Sequence, residues 1–339
     1  MLEKSILSAE LIKTILLTNY NLQANNIERI NRGSANIFDI DHQYILKEFS
    51  SDREVSSIEK EYQVIKYLSQ NGFRVPTYIE TKEGKFYVIY EGHILILQIY
   101  LDGYAMENNT GDYKKTIESA TLLGKLTKCL EGYSIDSIYD EFPTKENLEI
   151  GIQKMRDFLP KIKKDNPYHD KIQKDIERKI DISSRLLDFP FDEIKKVTLK
   201  ICHGDYSVQQ FIYHEELGTA IIDFETVRRM PIDWEIIRSY SYVDQECAGG
   251  EFQLKTFLDY VKEVQKYIDL TEYDLKYMPY VYLFQLAPST FGYKQYNDDN
   301  QKKSLLDFAF FRTNVCNYLY DHLELLSQEL LKLYKENRT

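Results

Sequence analysis

The sequence predicts an α+β protein of two lobes, a small N-terminal lobe built on an antiparallel sheet (residues 1–101) and a larger, mainly helical C-terminal lobe (residues 102–339). Three observations carry this prediction. Strand-like runs with a period of two cluster in the first hundred positions, helical spacing dominates after residue 112, and 339 residues suffice for two well-buried cores.

The elements follow in order. Residues 9–18 carry a helical stripe of Leu11, Ile12, Ile15 and Leu16. The period then changes to two, and residues 27–31, 36–40 and 44–49 read as three strands separated by 32–35 and by 41–43. In the third, Ile45, Lys47 and Phe49 share a face, which sets one ammonium among apolar groups, either snorkelling at an edge or serving a buried anion. Residues 54–70 form an amphipathic helix on Ile58, Tyr62, Ile65 and Leu68, bordered by Glu61 and closed by Gly72 and Pro76. Strand-like runs at 86–90 and 94–100, joined by a turn at Glu91-Gly92, lead into a short connection, Leu101-Asp102-Gly103. Beyond it, 113–130 reads as a long helix and 147–187 as a charged helical region broken near Asn166-Pro167. Residues 231–237 open a further helix, and about 252–333 is helical with tyrosine-rich faces.

Between the helical stretches lies the segment richest in chemistry. Residues 197–202 are strand-like and run into His203-Gly204-Asp205; residues 208–213 and 219–222 are strand-like and joined by a turn at 215–218; Asp223-Phe224-Glu225 follows. Asp suits turns on its own account. Two such aspartates eighteen residues apart, returned by a hairpin so that both can face one cleft, match what phosphoryl transfer requires. One carboxylate meets the attacking hydroxyl, a second holds magnesium on the nucleotide, and a polar side chain five residues after the first assists the metal. Asp205, Asp223 and Gln210 stand at those places.

The motifs His203-Gly204-Asp205 and Ile222-Asp223-Phe224-Glu225 resemble the signature of the aminoglycoside phosphotransferase and choline kinase families, relatives of protein kinases that phosphorylate small molecules. The resemblance spans about residues 31–239 and implies a two-lobed, protein-kinase-like fold. It implies Asp205 as catalytic base, Asp223 as metal ligand and His203 as a scaffold residue. The family carries Asn where this chain has Gln210, whose amide oxygen sits on an arm one methylene longer. In the same arrangement a strand lysine meets the nucleotide phosphates and is oriented by a glutamate of the next helix, places that Lys47 and Glu61 fill in order. The loop at 31–36, with Gly33 and Ser34 at its centre, would then lie over the phosphates, and Leu101-Asp102-Gly103 would meet the adenine edge. Asp233 falls where a family aspartate supports the catalytic loop, a helix cap being the equal alternative. Only nine residues separate Asp223 from Asp233, too few for a protein-kinase activation segment, which favours a small acceptor. Family members surround cationic acceptors with acids; Asp244, Glu246 and Glu251 are placed to do so, the alternative being a solvated face.

The sequence thus leads to a magnesium-dependent kinase using ATP or GTP on a small hydroxyl-bearing molecule, with an aminoglycoside or amino-alcohol as candidate acceptor. The competing class is a kinase-fold binding or structural protein without turnover, as among related spore-coat proteins. Composition narrows the partners. A net charge of −11 disfavours nucleic acid, and a cationic small molecule is compatible with it. Cysteines at 129, 202, 247 and 316 lack the spacing of a zinc site or disulfide framework, which suits a reducing cytoplasm. The N-terminal residues lack a signal-peptide core, and no apolar run is long enough to span a membrane.

Overall fold

The computed structural model describes residues 4–30, 35–135 and 143–336. The regular elements in chain order are α1 (Ala9–Tyr20), β1 (Ile27–Ile30), β2 (Asn36–Ile40), β3 (Tyr44–Glu48), α2 (Val55–Gln70), β4 (Val88–Tyr90) and β5 (His93–Ile99), then α3 (Tyr113–Leu130), α4 (Lys145–Phe158), α5 (His169–Arg185), α6 (Phe191–Ile194) and β6 (Leu199–Cys202). They continue through β7 (Phe211–Ile212), β8 (Ala220–Ile221), β9 (Arg228–Pro231), α7 (Ile232–Val243), α8 (Leu254–Gln265), α9 (Glu272–Leu286), α10 (Tyr293–Asp298), α11 (Lys303–Asp321) and α12 (Leu323–Glu336). The chain divides into two compact units, one of residues 1–105 with 210–227, the other of 106–209 with 228–339.

The first unit holds a five-stranded antiparallel sheet in the order β1-β2-β3-β5-β4. Alternation along the strands divides its faces. Phe38, Ile40, Leu46, Leu95 and Leu97 form a core with Ile12, Ile15, Leu16 and Tyr20 of α1, so that helix seals one face. Lys47, paired in register with Ile37 on β2 and Ile96 on β5, points to the other. Glu61 of α2 is buried with Ile58, Val64, Ile65 and Leu68, although its sequence position only bordered the apolar stripe.

The hairpin of the first unit is shorter than its sequence suggests. Pairing is confined to Phe211–Ile212 against Ala220–Ile221, and Val208–Gln210, read as strand, is a 3₁₀ turn. The Gln210 carbonyl accepts from Ile222 N–H at 2.9 Å. Asp223, with φ of 66°, then breaks the strand and starts a second 3₁₀ turn at Phe224–Thr226 that packs against α2. Residues 101–104 belong to this unit through a bridge in which Tyr104 and Tyr213 exchange backbone hydrogen bonds of 2.9 and 2.8 Å. Gly103 sits at φ of 136°, where a Cβ would lie 2.2 Å from the Tyr213 carbonyl oxygen, so no other residue fits.

The second unit is helical apart from one two-stranded ribbon. In it β6 pairs antiparallel with β9, Leu199 opposite Pro231 and Cys202 opposite Arg228; β9 was not foreseen from the sequence. Helix α7 packs on α9, and α3 on α8, around a core that includes Leu123, Ile236, Ile237, Phe257, Tyr260 and Met278. The break foreseen near Asn166-Pro167 separates α4 from α5. All four cysteines are free thiols. Among the described residues no helix is long and apolar enough to cross a membrane.

Candidate active site

Each unit carries its own set of the residues singled out by sequence. In the first, Lys47 and Asp223 both act on the Glu61 carboxylate. Burial pushes the Glu61 carboxyl above its ordinary range, Lys47 pulls it back, and Asp223 and Glu225 push it further. The three acids and the lysine are therefore neighbours, although Lys47 and Glu61 make no direct ion pair. Two more buried polar groups complete this cluster. The Tyr78 hydroxyl is close enough to help hold Glu61 ionised, and Gln98 of β5 lies beside Tyr78 through an isolated antiparallel bridge. Glu225 is tied to Arg53 at 2.6 Å, and the Arg53 guanidinium lies 5.6 Å from the centroid of the Phe49 ring.

Asp223 is placed differently from these neighbours. Its half-buried carboxylate accepts no hydrogen bond from the described residues and pairs with no cation there. Among the described residues no three His, Cys, Asp or Glu side chains converge as a self-sufficient metal site. The donor set fits a hard divalent cation that takes most of its oxygens from nucleotide phosphates and one or two from the protein, as magnesium does. Gln210 sits at the end of its 3₁₀ turn, joined to the strand before Asp223 by its carbonyl. Gly33 and Ser34 lie outside the described residues.

In the second unit the loop after β6 carries Asp205. His203 is fully buried; its Nδ1 accepts from the Asp205 N–H at 3.3 Å, and its ring meets Tyr206 edge-on at 6.1 Å. Gly204, at φ of 82°, supplies the left-handed residue that the bend needs. The loop is fastened from α7. Glu235, with no exposed surface, accepts from His203 N–H at 3.0 Å and from Gly204 N–H at 2.6 Å. Burial pushes the Glu235 carboxyl up, while His203 and these two N–H groups draw it down. One turn further on, Arg238 pairs with Asp205 Oδ1 and donates to the Tyr206 carbonyl at 3.1 Å, with its guanidinium 5.2 Å from the Trp234 ring and 4.9 Å from Tyr242. Arg238 thus fixes the Asp205 carboxylate through Oδ1.

The role foreseen for Asp233 falls elsewhere. Asp233 is buried in the first turn of α7 and accepts from Trp234 N–H at 2.9 Å, while Pro231 is the capping residue. Burial and nearby Asp274 push its carboxyl well above the usual range. The loop that carries Asp205 is supported instead by Glu235, two residues later. Of the acids considered for a cationic acceptor, Asp244 is buried and accepts from Glu246 N–H at 3.0 Å, which fixes a turn, whereas Glu246 and Glu251 are exposed. Sequence reasoning missed Glu235 and Arg238. The available signal was that Glu235 and Arg238, like Asp233, are charges within the mostly apolar first turns of α7, and such charges must be paired once buried.

A lysine-bearing antiparallel sheet backed by a glutamate helix, followed by a helical unit with an aspartate in a tightly fastened loop, is the construction of a kinase-like phosphotransferase. The chain belongs to the phosphotransferase enzyme family, whose model matches residues 26–260. No curated protein matches the sequence. Among solved structures it is similar to spectinomycin phosphotransferase in complex with ADP and spectinomycin, at 16% identity, 93% of this chain, 98% of that one and a TM-score of 0.66. It is also similar to an aminoglycoside phosphotransferase from Alicyclobacillus acidocaldarius (13% identity, 97% and 98% covered, TM-score 0.64). A third likeness is to a microcompartment-associated aminopropanol kinase (14% identity, 94% and 99% covered, TM-score 0.57). These likenesses establish the α+β kinase-like fold.

Proposed function

We propose that the protein transfers the γ-phosphoryl group of ATP or GTP to a hydroxyl of a small molecule, with residues 1–101, joined by the 210–227 hairpin of the same unit, serving the nucleotide and the rest of 102–339 serving catalysis and the acceptor. The observation that carries this reading is the Asp223 carboxylate, left without a donor beside a lysine and a buried glutamate. Bound ADP in the spectinomycin enzyme, and AMP-PNP with calcium in the similar structure of amicoumacin kinase (15% identity, TM-score 0.61), support a nucleotide and a divalent metal here.

In this mechanism Asp205 presents its carboxylate to the acceptor hydroxyl and takes the proton as that oxygen bonds the γ-phosphorus and the bond from phosphorus to the β-phosphate oxygen breaks, releasing ADP or GDP. Arg238 fixes the orientation of the carboxylate, and Glu235 and His203 hold the loop that carries it. Lys47 neutralises phosphate charge, and Glu61 keeps the lysine directed. Magnesium, held by Asp223 with Gln210, would supply further charge neutralisation on the nucleotide. Catalysis rests on positioning and electrostatics rather than on covalent chemistry with the protein. The four free cysteines suit a reducing cytoplasm.

Gln210 favours the second reading, a nucleotide-binding protein without turnover; the intact set Lys47, Glu61, Asp205 and Asp223 favours the first. Calorimetry and ADP release separate them. Asp223→Ala should abolish magnesium-dependent nucleotide binding, and Asp205→Ala should keep binding while losing acceptor-stimulated ADP release. Equal nucleotide affinity in wild type and Asp223→Ala would remove the site assignment. Binding without stimulated release for any acceptor would leave the non-catalytic reading.

A further inference from the structure

The helical unit carries an aromatic surface that the assignments above leave unused. Arg238, fastened to Asp205, stacks over Tyr242; the Tyr242 ring stacks on Phe308 at 5.9 Å and 17°, and Phe311 lies 5.6 Å from the same ring. Phe308 in turn meets Phe291 edge-on at 6.3 Å. Phe291 is 43% exposed, and Phe308 and Phe311 are half-buried. The surface therefore starts at the residue that holds the catalytic carboxylate and runs outward over rings that keep a free side.

Arg312 closes this surface. Its guanidinium lies 5.6 Å from the Phe308 centroid and 5.9 Å from that of Phe291, and no carboxylate or carbonyl among the described residues accepts from it. The acids that share its neighbours are engaged elsewhere: Asp175 with the Tyr293 hydroxyl at 2.8 Å and Asp321 with Arg178 at 2.7 Å. A second cation adds to the local excess. Lys179 is buried and donates only to the Ser289 carbonyl and to the face of Tyr293. Burial pushes its ammonium down to about 8, with Cys316 and Asp175 holding it up and Arg312 pressing it further down. In a chain with eleven excess acidic charges, an arginine left without an acid over two phenylalanine rings is a place where an anion is missing.

On the kinase reading above, we infer that the acceptor is a small hydroxy acid, its flat apolar body lying on Phe291 and Phe308 and its carboxylate taken by Arg312. Guanidinium and carboxylate match as a two-pronged pair, and the rings under the guanidinium strengthen it by excluding water. Polycationic acceptors fit this surface poorly, since the cation Arg312 lies over its rings.

The chain has one tryptophan, Trp234, which lies under Arg238 and donates to Gln285 Oε1 at 3.0 Å, so its fluorescence reports on this surface directly. Phenyllactate, a hydroxy acid, and phenylalaninol, its amino-alcohol counterpart, serve as probes. Saturable phenyllactate binding, weakened about tenfold or more in Arg312→Gln and less in Arg312→Lys, with no saturation by phenylalaninol, is the expected result. The Lys variant retains charge and stem, which guards against mere loss of folding. No phenyllactate saturation in the wild type, equal affinity in Arg312→Gln, or phenylalaninol binding as well as the acid would each overturn the inference. Magnesium–ATP binding, measured by calorimetry on the same samples, separates the two claims. Its absence with carboxylate binding intact removes the kinase reading alone, and its presence with Arg312-independent acceptor binding removes the hydroxy-acid inference alone.

Discussion

Glu235 offers the most direct test of how the loop carrying Asp205 is held and whether that loop serves the proposed transfer, because it binds that loop and none of the residues proposed for the nucleotide. Replacing it with alanine leaves two buried N–H donors, those of His203 and Gly204, without an acceptor. Each orphaned buried donor costs about 1–3 kcal/mol, and relief from burying an ionised carboxylate offsets part of the sum, leaving about 2–4 kcal/mol. That loss should shift the urea midpoint downward without changing the slope. The kinetic effect is separate. Freed from Glu235, the loop carries Asp205 away from its aim, and a displacement of about 1 Å costs roughly 100-fold in turnover. Nucleotide affinity should stay near wild type, since Lys47, Glu61 and Asp223 belong to the other unit. The measurements are urea unfolding, ADP release at saturating acceptor, and calorimetry with magnesium–ATP. Turnover within twofold of wild type in a correctly folded Glu235→Ala protein would refute the argument, and so would a parallel loss of nucleotide affinity.

Other perturbations act on single links. Tyr78→Phe removes a group that helps keep Glu61 ionised, so its carboxyl should rise further and nucleotide affinity should begin to fall at a higher pH as the medium is acidified; identical pH profiles would exclude Tyr78 from the cluster. Lys47→Met should weaken ATP binding while leaving unfolding cooperative, and unchanged affinity would put the lysine outside the site. If Gln210 reaches the metal, Gln210→Asn should preserve or raise turnover and Gln210→Ala should lower it; equal losses in both would end the metal-ligand role. Lys179 has a folded value of about 8 against an ordinary 10.5, so the unfolded chain binds one more proton between those values. Stability should therefore rise with pH from about 8 to 10, and urea midpoints in Lys179→Met should lack that rise.

The sheet was legible because its strands alternate and are divided by turn residues. Residues 36–40 were read at their observed limits, as was the helix 113–130, with its uninterrupted 3.6-residue spacing. The hairpin was overread, since β-branched and aromatic residues at 208–213 suit a strand equally whether or not a partner is present. Lys47, Glu61 and the two aspartates could be nominated from their order along the chain. Glu235 could not, because its partners are backbone N–H groups, which every residue but proline possesses. Arg312 was invisible for a related reason: its meaning lies in the acids that are occupied elsewhere, a property of three dimensions only.

The bridge between residues 104 and 213 gives the first unit a delayed completion. A ribosome finishes α1, the five strands and α2 long before it makes the hairpin, with about a hundred residues of the helical unit emerging in between. At about 5–20 residues per second that interval lasts roughly 5–20 s. During it the nascent sheet has Lys47 and Glu61 but lacks Asp223, and Gly103 waits without the carbonyl it was shaped to admit. A stalled chain ending before residue 210 should therefore show a protected sheet in proteolysis yet fail to retain magnesium–ATP, and release past residue 227 should restore retention.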